Sequence, residues 1–180
     1  MKPSLVKVSK FLSLVLRHQP QLLGLHLDAQ GWTSVKELLQ RSQAGPHPMT
    51  LELLQAVVHS NDKQRFAFSP DGTLIRANQG HSVEVDLALP PVAPPEVLYH
   101  GTASTNLTSI GQRGLLKGRR HHVHLSVDPE TATKVGQRHG PSVVLSVRAG
   151  EMHRIGHVFF QSANGVWLTE QVPPAFLEFP

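Results

Sequence analysis

Arg17-His18 is the first of several arginine and histidine positions that could do chemistry, followed along the chain by Arg65, His100, Arg120 and the pair His122 and His124. A guanidinium is planar, stays charged at any workable pH and offers forked donors that match phosphate oxygens. Arginines that converge without an anion repel one another, so such a set implies a polyanion. An imidazole adds a proton that can be given or taken near neutrality, its unperturbed pKa being ~6.5. Together the two residue types point to a phosphate that is both held and acted upon.

Other short patterns each admit two readings. In His121-His122-Val123-His124, strand alternation puts His122 and His124 on one face, close enough to share an ion. Local spacing supplies only those two ligands where a structural zinc has four, so no metal is expected. His100-Gly101-Thr102 reads as the close of a strand. It is either a plain turn or a place where glycine allows close backbone approach and the following amides receive an anion or a carboxamide. Gln79-Gly80-His81-Ser82 is a turn, or else faces a site at a junction of lobes. Arg65 and Arg120, taken singly, suit a solvated surface as well as a site. No cysteine, no Gly-x-Ser-x-Gly elbow and no Gly-x-x-x-x-Gly-Lys loop is present, which removes thiol chemistry, that serine nucleophile and the P-loop.

These residues need a scaffold, and 180 residues with 39% hydrophobic content can build one ordinary domain or two small ones. Lys plus Arg number 17 against 13 acidic residues, a modest excess that favours a local basic site over a broad basic surface. The N-terminus carries no signal-peptide pattern, and no apolar run nears the ~20 residues of a membrane span. A cytoplasmic protein without membrane contact is expected. Four prolines in Pro90-Pro91-Val92-Ala93-Pro94-Pro95 favour extended chain and separate two differently patterned halves. The expected division is a lobe over residues 1–89, a linker over 90–96 and a second lobe over 97–180.

Within the first lobe, Val8, Phe11, Leu12, Val15 and Leu16 form one helical stripe with Pro20 as its stop, and Arg17 falls nearly opposite that stripe. Ser34 with Glu37 predicts a capping box ahead of a second helix, and Thr50 caps a third. Arg65-Phe66-Ala67-Phe68 and Thr73-Leu74-Ile75-Arg76 flank Ser69-Pro70-Asp71-Gly72 as a hairpin. Three helices and a hairpin suggest a winged helix. The second lobe is strand-rich, with strands at Val97–His100, Val123–Leu125, Val143–Val147, Val158–Phe160 and Gly165–Leu168. Helices are expected near Thr105–Gln112 and from a cap at Ser126 or Asp128 to about Arg138, so the class is α+β.

Several segments in one order resemble the RNA 2′-phosphotransferases, also called tRNA 2′-phosphotransferase or KptA. They are Ser9-Lys10-Phe11-Leu12-Ser13 leading to Leu16-Arg17-His18, Asp62-Lys63-Gln64-Arg65-Phe66, Ile75-Arg76-Ala77 with Gln79-Gly80-His81-Ser82, Tyr99-His100-Gly101-Thr102, His122-Val123-His124-Leu125-Ser126 and Asn164-Gly165-Val166-Trp167-Leu168. The resemblance implies a winged-helix lobe followed by an NAD-binding lobe of the ADP-ribosyltransferase type. It implies that NAD is consumed as a co-substrate and that 2′-phosphorylated RNA is the partner; a monomer is expected. An RNA 2′-phosphate would attack the nicotinamide ribose, and a second step would release 2′-hydroxyl RNA and ADP-ribose 1″,2″-cyclic phosphate.

By the same resemblance, Arg17, His18, Arg65 and Arg120 form the catalytic set, Arg120 being preferred to Arg119 by its spacing to His124-Leu125-Ser126. Arg65 and Arg120 would bind phosphate, Arg17 would serve the second step, and His18 would contact phosphate and transfer a proton. His100, Gly101, Thr102, His124, Leu125, Ser126, Arg138 and Val166 would hold NAD. Val166 stands where relatives that modify other acceptors place a catalytic glutamate, and Glu170 nearby keeps that alternative open. The rival readings are an ADP-ribosyltransferase acting on a nucleic-acid terminal phosphate or another acceptor, and a non-enzymatic winged-helix nucleic-acid-binding module. The four catalytic residues are expected to converge across a cleft.

Overall fold

The computed structural model describes residues 5–60, 63–137 and 141–180. The chain divides after Ala88 into two compact units, each with its own apolar core.

In the first unit, α1 (Leu5–Arg17) forms because its five apolar stripe residues fall on one face, and all five are at most 8% exposed. A 3-10 turn over Pro20–Leu23 ends it, closed by Gly24 at φ +60°, where a glycine pays no Cβ penalty. Strand β1 (Thr33–Ser34) runs straight into α2 (Val35–Ser42). The Ser34 hydroxyl accepts the Glu37 N–H, but the Glu37 carboxylate turns to Arg41 Nε at 2.8 Å, so only half of the expected reciprocal box forms. Helix α3 (Leu51–His59) is capped by Thr50, whose hydroxyl accepts the Leu53 N–H. The hairpin β2 (Phe66–Phe68) and β3 (Leu74–Ala77) turns at Ser69–Gly72, where Asp71 accepts from Ser69 and Thr73. β1 adds to it, giving the antiparallel order β1-β3-β2. The core packs the α1 stripe with Leu38, Leu54, Val57, Phe66 and Ile75.

In the second unit β4 (Leu98–Ala103) is followed by a 3-10 turn at Ser104–Asn106, α4 (Leu107–Arg113) and β5 (Leu115–Leu116). Next come β6 (Val123–Leu125), α5 (Pro129–Gly136), β7 (Ser142–Val147) and α6 (Ala149–Arg154). The chain ends through β8 (Phe159–Gln161), β9 (Trp167–Thr169), β10 (Gln171–Val172) and β11 (Leu177–Glu178). The sheets are antiparallel, in the orders β11-β7-β4, β6-β9-β8 and β10-β5. A bridge between Tyr99 and Ser126 ties β4 to the end of β6. The mixture of helices and antiparallel strands is α+β.

The expectation that His100-Gly101-Thr102 closes its strand is corrected: β4 runs on, with Gly101, Thr102 and Ala103 in register with Val144, Val143 and Ser142. Asp128, not Ser126, caps α5, accepting the Thr131 N–H at 2.7 Å. Helix α6 and the two-residue strands β1, β5, β10 and β11 were not foreseen. Among the described residues no helix is long and apolar enough to cross a membrane.

Candidate active site

Arg17 ends α1 opposite its apolar stripe and is half-buried, its guanidinium carbon 6.0 Å from the centre of the Phe66 ring. One terminal nitrogen lies 3.5 Å from the Arg65 carbonyl, because Arg65 leads directly into β2 beside the end of α1. The backbone that carries Arg65 is clamped from the hairpin's other strand. Asn78 N–H donates to the Arg65 carbonyl at 2.9 Å, and Asn78 Nδ2 donates to the Gln64 carbonyl at 2.5 Å. Gln64 holds φ +39°, a left-handed conformation that costs a non-glycine residue ~1–2 kcal/mol. The buried Asn78 amide is therefore placed to hold the backbone that aims Arg65.

From Asn78 the chain returns over the end of α1. Gly80 makes the turn at φ +87°, His81 is buried at 2% exposure, and the amides of Ser82 and Val83 both donate to the Arg17 carbonyl, at 2.9 and 3.3 Å. The Ser82 hydroxyl meets His18 Nδ1 at 2.9 Å. The first unit thus gathers Arg17, His18 and the Arg65 backbone around one strap of chain.

In the second unit β4, β6 and the turn that precedes β6 bring His100, His124 and Arg120 together. His100 Nδ1 lies 3.0 Å from the His124 carbonyl. A carbonyl only accepts, so Nδ1 carries the proton and Nε2 of the neutral ring carries the lone pair. Burial pushes the His100 pKa below its ordinary 6.5, the bond to the His124 carbonyl opposes that, and the Arg120 charge adds to the lowering. Arg120 approaches His124 Nδ1 at 3.1 Å. A guanidinium has no lone pair, so here Nδ1 accepts and the proton of the neutral ring is on Nε2. The two histidines therefore hold opposite tautomers, one an acceptor and the other a donor at Nε2.

Gly101 follows His100, and a Cβ there would lie 1.7 Å from the Ala132 carbonyl oxygen, so glycine lets α5 lie directly on β4. Thr102 is 7% exposed, and its hydroxyl accepts from Asn106 Nδ2 at 3.1 Å. Leu125 is 1% exposed, belongs to the core and pairs with Trp167 across β6 and β9. Both main-chain groups of Ser126 bond Tyr99. Val166 precedes β9, half-buried, with its carbonyl accepting from Ser162. Arg138 lies outside the described residues. Glu170 places its carboxylate 2.5 Å from Lys117 Nζ, and that bond holds its pKa below the usual carboxylate range. His122 packs edge-on against Phe160, ring centres 5.4 Å apart. Among the described residues no three or more His, Asp or Glu gather as a metal site would require.

Sequence reasoning missed Asn78 and Asn106, and gave Ser82 no role of its own. The available signal was a short amide or hydroxyl side chain beside a turn, which bonds nearby backbone readily but names no partner.

The family model described as RNA 2'-phosphotransferase, Tpt1 / KptA family, matches residues 3–171. Three curated relatives carry the name "Probable RNA 2'-phosphotransferase". That of Nostoc punctiforme is 53% identical over 174 residues, covering 97% of this chain and 96% of its own length. That of Pseudomonas aeruginosa strain UCBPP-PA14 is 52% identical over 177 residues, covering 98% and 97%. That of Streptomyces coelicolor is 54% identical over 175 residues, covering 97% and 95%. The matched span holds both histidine and arginine clusters and runs unbroken through both units, so the chain belongs to the RNA 2'-phosphotransferase, Tpt1 / KptA family.

Proposed function

We propose that the chain removes an internal 2′-phosphate from RNA by transferring it to NAD, which is consumed as a co-substrate. The observation that carries this reading is the arrangement of Arg120, His124 and His100 in the second unit. Opposed tautomers offer one acceptor and one donor, which suits the neighbouring hydroxyls of a ribose, and Arg120 brings a phosphate-matching guanidinium against the same histidine. The three helices and three-stranded sheet of the first unit support reading it as a winged helix that binds RNA, and the second unit is read as an ADP-ribosyltransferase-type lobe.

In the first step a 2′-phosphate oxygen bonds to the anomeric carbon of the nicotinamide ribose, and nicotinamide departs with the bonding pair as a neutral base. The leaving group starts cationic and the nucleophile is already anionic, so this chain's contribution is positioning by Arg65 and Arg120. In the second step the adjacent ribose hydroxyl attacks phosphorus, and the bond to the RNA 2′-oxygen breaks. The hydroxyl's proton ends on that oxygen, with His18 hydrogen-bonded to the phosphate it crosses. Charge gathers on the phosphoryl oxygens, where Arg17 stabilises it. The products are 2′-hydroxyl RNA, nicotinamide and ADP-ribose 1″,2″-cyclic phosphate. The cytoplasm, where NAD and RNA meet, is the expected location.

The test is an incubation with NAD and an oligonucleotide bearing one internal 2′-phosphate, resolved by chromatography. Formation of both the dephosphorylated RNA and the cyclic phosphate is expected. A stable ADP-ribosyl adduct on a terminal phosphate, with the 2′-phosphate untouched, would move the reading to an ADP-ribosyltransferase. Nucleic-acid binding with no nicotinamide release would leave only a binding module.

A further inference from the structure

The strap from Asn78 to Val83 does more than pass over α1. Its Ser82 N–H bonds the carbonyl of Arg17, the residue directly before His18, while its hydroxyl bonds the ring of His18. Both contacts therefore sit at one end of one helix, and the hydroxyl is placed by a single side-chain torsion from a fixed backbone. The strap is held down on either side: the Asn78 amide bonds the hairpin, and His81 is buried so closely that its Nε2 lies 3.2 Å from where a Gly31 Cβ would be.

A serine hydroxyl beside Nδ1 can donate to the ring or accept from it, and the direction fixes which nitrogen of the neutral ring holds the proton. An anionic phosphate requires a donor. If Ser82 donates to Nδ1, the neutral ring keeps its proton on Nε2 and remains a phosphate donor above its own pKa. If Ser82 accepts, the neutral ring turns a lone pair towards the anion at Nε2. We propose that Ser82 is a positioning residue that holds His18 as its Nε2–H tautomer, so that the ring donates to the transferred phosphate whether or not it is protonated. The assignment rests on the phosphate-handling role of His18 given above, and it adds a residue that acts only through the histidine.

The test begins with the full-length protein alone, labelled with ¹⁵N in its histidine rings and observed well above the ordinary imidazole pKa, with a His18→Asn variant to identify the signals. The wild-type His18 signals should report a proton on Nε2 and a lone pair on Nδ1. Ser82→Ala should shift the ring towards a mixture of tautomers, and Ser82→Thr, which keeps the hydroxyl, should restore the wild-type pattern. Turnover of 2′-phosphorylated RNA should fall about tenfold in Ser82→Ala, the scale of one lost neutral hydrogen bond, and recover in Ser82→Thr. Wild-type His18 protonated on Nδ1, or a tautomer unchanged in Ser82→Ala, overturns the proposal. Because the spectrum needs neither RNA nor NAD, an inactive enzyme with a serine-dependent tautomer would refute the proposed function without touching this assignment.

Discussion

Replacing Gly101 by alanine tests the packing that seats the second unit's histidines. The new methyl would lie 1.7 Å from the Ala132 carbonyl oxygen and 3.0 Å from the Gly136 nitrogen, and both obstacles are backbone. No side chain can rotate aside, so α5 and β4 must part by about 1.3 Å before the contact becomes tolerable, in an interior packed like a crystal. Overpacking costs ~1–3 kcal/mol, and a clash that only backbone movement relieves belongs at the upper end, about 3 kcal/mol. For a unit of this size that corresponds to a fall of roughly 12 to 24 °C in its melting temperature. Scanning calorimetry is the assay, with NAD binding by titration calorimetry as a second readout because Gly101 adjoins His100. Gly136→Ala should cost less, its nearest obstacle being the Ser142 Cβ at 2.9 Å. Gly111→Ala is the control: it lies within α4 with nothing nearer than Phe179 at 3.9 Å, and should stabilise by ~0.5–1 kcal/mol. A Gly101→Ala protein that melts within a few degrees of wild type would refute the claim that backbone contact fixes α5 on β4.

Asn78→Ala should cost ~0.5–1.5 kcal/mol in urea unfolding, the scale of one half-buried hydrogen bond lost from the Gln64 carbonyl. Gln64→Gly should be neutral to stabilising by ~0.5 kcal/mol and should couple to Asn78→Ala; strictly additive effects would separate the amide from the left-handed backbone. Arg17→Ala should slow the second step by about 10²–10³-fold and let RNA-phospho-ADP-ribose accumulate in quenched reactions, whereas equal slowing of both steps would make Arg17 a plain binding residue. His100 sets a pH dependence of known sign: its folded pKa is lowered, so the unfolded chain takes up the proton first as pH falls. Its stabilising contribution is complete above the ordinary 6.5, declines as pH drops through that value and levels off below the lowered one. His100→Asn should flatten melting temperature against pH in that window, and an unchanged slope would assign the dependence to other histidines.

Long apolar periodicity was readable because it reports local geometry. The five α1 stripe residues are all buried, and the caps at Ser34, Thr50 and Asp128 all form. Strand ends were less legible, since pairing partners decide them. β4 continues through Gly101 to Ala103 only because Val144, Val143 and Ser142 lie alongside, far away in sequence. Helix α6 has six residues with Gly150 near its start, too few for a periodic signal, and its Gly150 N–H is taken up by the distant Glu96 carbonyl. At the site, residue types announced arginine and histidine chemistry. What escaped was the support: Asn78 behind Arg65, Ser82 beside His18 and the His124 carbonyl behind His100, all set by contacts between residues well apart in sequence, and the contact of Arg120 with His124, which is local but depends on a turn that residue types do not announce.

The strap after β3 also acts as a gauge. Asn78 is pinned to the hairpin and Ser82 to the last carbonyl of α1, so the three residues between them measure a fixed span. One residue more or fewer would carry the serine hydroxyl out of reach of the imidazole. This stretch ought to behave unlike a surface loop under mutation, accepting changes of composition at Gln79 while refusing any insertion or deletion. The hairpin tip at Pro70–Asp71, tied to no such ruler, is where changes in length can be absorbed.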